Sequence, residues 1–269
     1  MEHRVSDSIS NTVKTAATQY ASLVGKVVFI TGGASGIGAA MVSAFVGQQS
    51  KVAFIDIDEQ ASAHLISTIK TANPNAQLWY RKVDVTDPDM LQLAILDASE
   101  SLGGLDVLVN NVGNDARQDV ENISAYDWHK CMQVNLDPAF FASQAALKIM
   151  REYASGSIIN FSSINALIGP QQMTGYVTAK AGLMGMTKSL SRDFGVDNIR
   201  VNAILPGWVA TDRQLASWLT EEEEQKWTDA MALKKRIEPE DVANLALFLA
   251  SDNSAMITGQ GINIDGGRT

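Results

Sequence analysis

Cysteine is almost missing from this chain of 269 residues, in which Cys131 is the single example. One thiol excludes an intrachain disulfide and a cysteine-built zinc site, and it suits a reducing, cytoplasmic setting with Cys131 as a helix packing residue. Histidine is nearly as scarce. His3, His64 and His129 are dispersed without metal-ligand spacing, and no Gly-x-Ser-x-Gly elbow accompanies them. No metal is therefore expected, and serine hydrolysis lacks its parts. Positive charge is in deficit: 21 Lys and Arg against 30 Asp and Glu give a net charge of −9. That field repels polyanions, which argues against nucleic acid and anionic membranes as partners and requires any phosphate to be bound by local geometry. No window approaches the ~18 apolar residues of a membrane span. The six Pro are scattered, and no Gly/Ser linker, repeat or low-complexity tract divides the chain.

What remains is 46% hydrophobic and 19% charged, and its length suits one large α/β domain. Residues 1–24 are polar, carry Glu2, Asp7 and Lys14, and have no apolar run for a signal peptide. They read as a leader before a single domain at 25–269. Short β-branched and aromatic runs at 27–30, 51–57, 78–83, 105–109, 157–161, 200–205 and 261–264 predict strands. Helical patterns at 37–46, 59–70, 88–101, 125–151, 175–194, 221–231 and 239–250 alternate with them. Continuous apolar strands separated by helices predict a parallel sheet covered on both faces. Right-handed crossovers make it a doubly wound, Rossmann-type α/β sheet of about seven strands. The Glu run at 221–224 is a solvated helix start favoured by the helix dipole.

The first strand runs into Thr31-Gly32-Gly33-Ala34-Ser35-Gly36-Ile37-Gly38. Glycines allow a sharp turn and let a pyrophosphate approach the free N–H groups of the next helix, so Gly32, Ser35, Gly36, Ile37 and Gly38 form a candidate anion site. The spacing departs from Gly-x-Gly-x-x-Gly, and the absence of a Lys after Gly38 disfavours an ATP-type phosphate loop. Asp56 ends the second strand about 20 residues on, where a carboxylate accepts hydrogen bonds from an adenosine ribose. It would also repel a 2′-phosphate, and Ala34, Ser35 and Ile57 supply no compensating cation. NAD is therefore expected over NADP. The competing role for Asp56 is helix capping, which Asp58 could equally perform.

Tyr176 and Lys180 stand at i, i+4 on a predicted helix and share one face. A free phenol ionises near pH 10; a neighbouring ammonium and a cationic nicotinamide would stabilise the phenolate, and reaching neutrality takes about 4 kcal/mol. Tyr176 would then be a competent base. Tyr126 and Lys130 repeat the spacing but are set aside, because no hydroxyl residue at a strand end and no Gly/Ser-rich entry precede them. Ser162-Ser163, by contrast, end the strand at 157–161, at the sheet edge where ligands of such folds sit.

These pieces, with Asp84-Val85, Asn110-Asn111-Val112-Gly113, Asn135, Pro206-Gly207-x-x-x-Thr211 and Asp265-Gly266-Gly267 in order, closely resemble the short-chain dehydrogenase/reductase family. The resemblance runs from about residue 25 to the end. It implies that Asp84, Val85 and Asn111 flank the adenine and its ribose, and that Val209 and Thr211 contact the nicotinamide amide and nearby phosphate. Ile57, Gly113, Pro206 and Gly207 join the cofactor contacts. Ser163, thirteen residues before Tyr176, would orient the substrate oxygen. Lys180 would also hold the nicotinamide ribose, and Asn135 would place a water in a proton relay. A homotetramer is implied as well, with the helical stretches 125–151 and 175–194 at an interface. Val112 stands where the family usually has Ala, a change expected to shift packing.

Within that family, Tyr20-Ala21-Ser22-Leu23, Gly113-Asn114-Asp115-Ala116-Arg117, Thr211-Asp212-Arg213-Gln214 with Trp218, and Leu233 to Pro239 resemble bacterial sugar 1-dehydrogenases. The likeness implies that Tyr176 deprotonates an anomeric hydroxyl while the C1 hydride passes to NAD, giving a lactone. Asn114, Arg117, Ser163, Gln171, Gln172, Arg213 and Gln214 are the candidate sugar ligands, because buried hydroxyls need paired donors and acceptors. Arg117, Arg213 or Arg236 could instead read an acidic or sulfonated sugar. A non-sugar secondary alcohol or 3-oxoacyl substrate is the alternative. An inactive nucleotide sensor would not need Ser163, Tyr176 and Lys180 together.

Overall fold

The computed structural model describes residues 18–211 and 220–269. Among them are strands β1 (Val27–Thr31), β2 (Lys51–Asp56), β3 (Leu78–Lys82), β4 (Val107–Asn110), β5 (Gly156–Phe161), β6 (Ile199–Pro206) and β7 (Gly261–Ile264). The helices are α1 (Gly36–Gly47), α2 (Glu59–Ala72), α3 (Pro88–Leu102), α4 (Ala125–Asn135), α5 (Asp137–Tyr153), α6 (Asn165–Ile168), α7 (Thr174–Gly195), α8 (Glu221–Ala230) and α9 (Pro239–Ala250).

Strand residues alternate between faces, and here both faces are apolar. Val28 and Ile30 of β1 join the core with Met41, Val42 and Phe45 of α1 and Val242 and Leu247 of α9. Phe29, between them, joins Leu91 and Ile95 of α3, Ala142 and Met150 of α5 and Phe194 of α7. The seven strands are parallel throughout, in the order β3-β2-β1-β4-β5-β6-β7. The winding reverses between β1 and β4, which opens a crevice at the carboxyl ends of these two strands. The doubly wound parallel sheet expected from the sequence is thus the architecture observed.

Two features depart from expectation. The helical pattern at 125–151 is two helices, α4 and α5, parted at Leu136 (φ −128°, ψ −57°). Pro138 in the first turn of α5 lacks the N–H that would bond back into α4, and its ring would clash with the carbonyl four residues earlier. The single turn α6 also lies between β5 and α7, where no helical pattern was read.

The described part of the 1–24 segment packs against the domain. Leu23 is 1% exposed, Tyr20 N donates to Gln48 Oε1 (2.8 Å), and Ser50 Oγ donates to Leu23 O (2.8 Å). The packed body therefore starts before residue 25. Leu23→Ala should cost roughly 2–5 kcal/mol in urea unfolding; a loss below about 1 kcal/mol would mean that this segment is a detachable leader after all.

Candidate active site

The glycine turn is shaped by close backbone approach. Gly32 and Gly36 have φ of +68° and +52°, and a Cβ on Gly38 would stand 1.9 Å from the Gly32 carbonyl oxygen. No side chain fits at 38. Thr31 Oγ1 accepts from the N–H groups of Asn111 (3.0 Å) and Val112 (3.3 Å). Asn111 Nδ2 donates in return to Thr31 O (3.1 Å) and Gly32 O (3.0 Å). The ends of β1 and β4 are thereby stitched together across the crevice.

Asp56 accepts from Ala34 N (2.9 Å) and Asp58 N (3.0 Å), so its carboxylate braces the turn. Capping of α2 falls to Asp58, which accepts from Ala61 N (2.9 Å). Asp87 and Ser124 likewise cap α3 and α4, whereas α1 follows Ser35 with no side-chain cap. Its first turn keeps unsatisfied N–H groups and the positive end of its dipole for an anion.

A cleft of about 810 Å³ follows the carboxyl edge of the sheet. Asp56, Ile57, Asp84 and Val85 line it; so do Gly32, Ser35, Gly36, Ile37, Gly38, Asn111 and Gly113, and also Pro206, Gly207, Val209, Thr211, Ser163, Tyr176 and Lys180. Every residue expected to contact the cofactor is thus brought to one cleft. A Cβ on Gly36 would meet Thr211 Cγ2 at 3.1 Å, so the chain after β6 closes directly on the turn. The uncapped α1 and this glycine cradle fit a dinucleotide. In such a site Gly36, Ile37 and Gly38 would hold the pyrophosphate and Asp56 the adenosine ribose, and the nicotinamide supplies the hydride acceptor.

Lys180 is 2% exposed. Its Nζ donates to Phe161 O (2.7 Å) and lies 5.6 Å from the centroid of the Tyr176 ring. Burial pushes its pKa from the ordinary 10.5 down to about 8, against smaller opposing effects of Cys131 and Asp115. Gly113 makes room for it, since a Cβ there would stand 3.0 Å from Nζ. The two adjacent serines divide their tasks. Ser162 Oγ donates to Lys180 O (2.7 Å), tying β5 to α7. Ser163 Oγ accepts from Asn165 N (3.1 Å), which orients the oxygen and leaves its proton to donate.

Asn135 is buried and does not line the cleft. Its Oδ1 accepts from Asn114 N (2.7 Å), while Nδ2 donates to Asn114 O (3.1 Å) and Cys131 O (3.0 Å). It therefore fixes the loop that carries Gly113 against Lys180. Asn114 lines the cleft; Arg117, Gln171 and Gln172 do not. The Gln172 carbonyl accepts from Gln118 N (2.7 Å). Arg213, Gln214 and Trp218 lie outside the described residues. Arg236 does not line the cleft and pairs with Glu224, with Nη2 2.8 Å from Oε2.

Asn165, a polar loop residue that favours a sugar over a lipid-like alcohol, lines the cleft, and other lining residues were not anticipated: Asp115, Trp208 and Trp227. Trp208 could have been flagged by its place after Pro206-Gly207, but Trp227 sits in a charged helix and gave no signal. Tyr126 and Lys130, set aside above, also reach the cleft, with Nζ 6.0 Å from the ring centroid. Tyr126 is 72% exposed and Lys130 is also exposed, unlike Lys180. That exposure leaves no desolvated ammonium to act on the phenol.

A parallel sheet that opens at its switch point onto a glycine turn and, further along, onto a tyrosine with a buried lysine belongs with the dinucleotide-binding oxidoreductases. A family model described as Enoyl-(Acyl carrier protein) reductase matches residues 32–269. A probable galactose dehydrogenase of Rhizobium meliloti (strain 1021) is 41% identical, covering 93% of this chain and 98% of its own. A D-xylose 1-dehydrogenase of Caulobacter vibrioides is 40% identical over 92% of this chain and 97% of its own. A 3-alpha-(or 20-beta)-hydroxysteroid dehydrogenase of Mycobacterium tuberculosis is 39% identical over 91% and 90%. In fold, a short-chain type dehydrogenase/reductase from Mycobacterium ulcerans superposes with a TM-score of 0.87 at 24% identity, covering 93% of this chain and 91% of that one. The chain belongs to the short-chain dehydrogenase/reductase family and is an oxidoreductase.

The Lys180 shift has a consequence for stability. Its folded pKa of about 8 lies below the ordinary 10.5, so between these values the unfolded chain binds more protons and stability rises with pH. Lys180→Met should lack this rise in urea unfolding followed from pH 7 to 10.5. Parallel curves for the two proteins would contradict the buried-ammonium assignment.

Proposed function

We propose that this enzyme oxidises the anomeric C1 hydroxyl of an aldose to the lactone and passes the hydride to NAD. The observation that carries the chemistry is the Lys180 ammonium, buried beside the Tyr176 ring in the cleft that Ser163 also lines. Its charge in a water-poor site favours the Tyr176 phenolate, and the phenolate removes the proton from O1. Ser163 donates to O1 as it becomes the carbonyl oxygen. Asn135 holds the Asn114 backbone and so keeps Gly113 against Lys180. A water near Asn135 would carry the proton outward from Lys180.

The substrate class rests on the two sugar dehydrogenases among the relatives. The steroid enzyme supports the alternative, a non-sugar secondary alcohol. Asn114 is the candidate sugar ligand beside Ser163. Of the three arginines that could read an acidic group, Arg236 is engaged by Glu224, Arg117 stands off the cleft and Arg213 lies outside the described residues; among the described residues this favours a neutral sugar. NAD is preferred over NADP because the Asp56 carboxylate lines the adenosine end and would repel a 2′-phosphate. By the same family likeness we extend the proposal to a cytoplasmic homotetramer. Among the described residues no helix is long and apolar enough to cross a membrane.

The test is reduced-cofactor formation, followed by absorbance, across aldoses, uronates, polyols and secondary alcohols with each cofactor. Neutral aldoses with NAD should be turned over best, and Tyr176→Phe should cut kcat by roughly 10²–10⁴-fold while NAD still binds. Turnover confined to non-sugar alcohols, or full activity in Tyr176→Phe, would overturn the proposal.

A further inference from the structure

The end of β6 delivers one large side chain to the cleft along a fixed path. A Cβ on Gly207 would meet the Asp265 Cα and Ile237 Cδ1, each at 2.9 Å, so the chain leaves the strand pressed against its neighbours. Two residues later Val209 bridges to Ile237, and Ala210 N donates to Ile237 O (2.9 Å). Trp208 is therefore held between two clamps. Its ring stacks on Trp227 of α8, with centroids 5.8 Å apart and planes 28° from parallel. The Arg268 guanidinium carbon lies 5.7 Å from the Trp227 centroid, and Arg268 Nε is buried with no hydrogen-bond partner among the described residues. The guanidinium is attracted to the ring's quadrupole, and it in turn fixes Trp227. Both indoles are half-buried and line the cleft with Ser163, Tyr176, Asn114 and Asn165.

We propose that the stacked Trp208 and Trp227 form the platform on which the sugar ring lies, with Trp208 setting the selectivity for cyclic sugars. The idea rests on the sugar-oxidising reading above. A pyranose has one face of C–H groups, weakly positive and apolar, which matches the negative face of an aromatic ring. Its edge of hydroxyls needs donors and acceptors, and Asn114, Asn165 and Ser163 line the same cleft. A ring fixed on the indole presents C1 in one orientation, which is what hydride transfer requires. An acyclic polyol has no such face, so the platform discriminates by shape where hydroxyl count cannot.

The experiment compares the wild type with Trp208→Ala and Trp208→Phe, measuring kcat and KM on the best aldose and the dissociation constant for NAD. Trp208→Ala should raise KM about tenfold, the loss expected for an aromatic contact, and lower kcat as C1 loses its fixed orientation, with NAD affinity changed less than about threefold. Trp208→Phe, which keeps a ring to stack on Trp227, should recover most of the loss, and the retained NAD affinity of Trp208→Ala shows that the alanine variant is folded. Arg268→Met should raise KM in the same direction by loosening Trp227. An unchanged KM in Trp208→Ala, with the wild type active on aldoses, overturns the platform alone. A parallel weakening of NAD in Trp208→Ala also overturns it, because the indole would then be a cofactor wall. A wild type inactive on every aldose overturns the sugar reading and the platform with it.

Discussion

Lys180 carries a charge into a place that water barely reaches, and the surrounding structure is arranged to tolerate it. A desolvated ammonium is costly unless it is paired, and one that remains ionisable near neutrality is a device for stabilising a nearby anion. Separate elements contribute: the Phe161 carbonyl at the end of β5 and the Tyr176 ring one turn earlier on α7 stabilise the ammonium, and the bare backbone of Gly113 after β4 leaves it room. Each must hold its place to within a few tenths of an ångström. Much of the polar hydrogen bonding nearby serves that end.

A buried chain of side chains shows how α7 is held. Asn110 Nδ2 donates to Asn160 Oδ1 (2.9 Å), and Asn160 Nδ2 donates to Thr187 Oγ1 (3.0 Å), linking β4 to β5 and β5 to α7. Ser162 adds its bond to the Lys180 carbonyl. Because the helix bearing Tyr176 and Lys180 is pinned to the same strand that ends in Ser163, the serine, tyrosine and lysine are held in fixed relation to one another. The glycine turn is tied to the next strand by Thr31 and Asn111, which fixes the cofactor cradle relative to that unit. Preorganisation of this kind spares the reaction the cost of reordering dipoles as charge develops.

The sheet and the polar ends of the cleft were legible in the sequence because each leaves a short-range signal. Val27-Val28-Phe29-Ile30 breaking into glycine, and Pro239 opening an amphipathic helix, are local statements about backbone preference, and the structure follows them. The break at Leu136 was missed because apolar periodicity continues through it, although Pro138 carried the information. The relay role of Asn135 comes from the family resemblance alone; that its side chain spans to Asn114 is a tertiary contact that no spacing encodes. The polar residues Gln171 and Gln172 drew attention by composition yet stand off the cleft, while Trp208 and Trp227, far apart in sequence, line it together. Residues whose role depends on which loops meet are invisible to pattern, and the substrate end of this cleft is made of such residues.

On the proposed reading a hydride leaves the anomeric carbon of a sugar. D-galactose and D-xylose deuterated at C1 test it most directly, with the nicotinamide and the sugar product both followed by NMR. The account predicts deuterium at C4 of the reduced nicotinamide, a primary isotope effect on turnover and a lactone free of the label. Label retained in the oxidised sugar, with an unlabelled reduced cofactor, would contradict it.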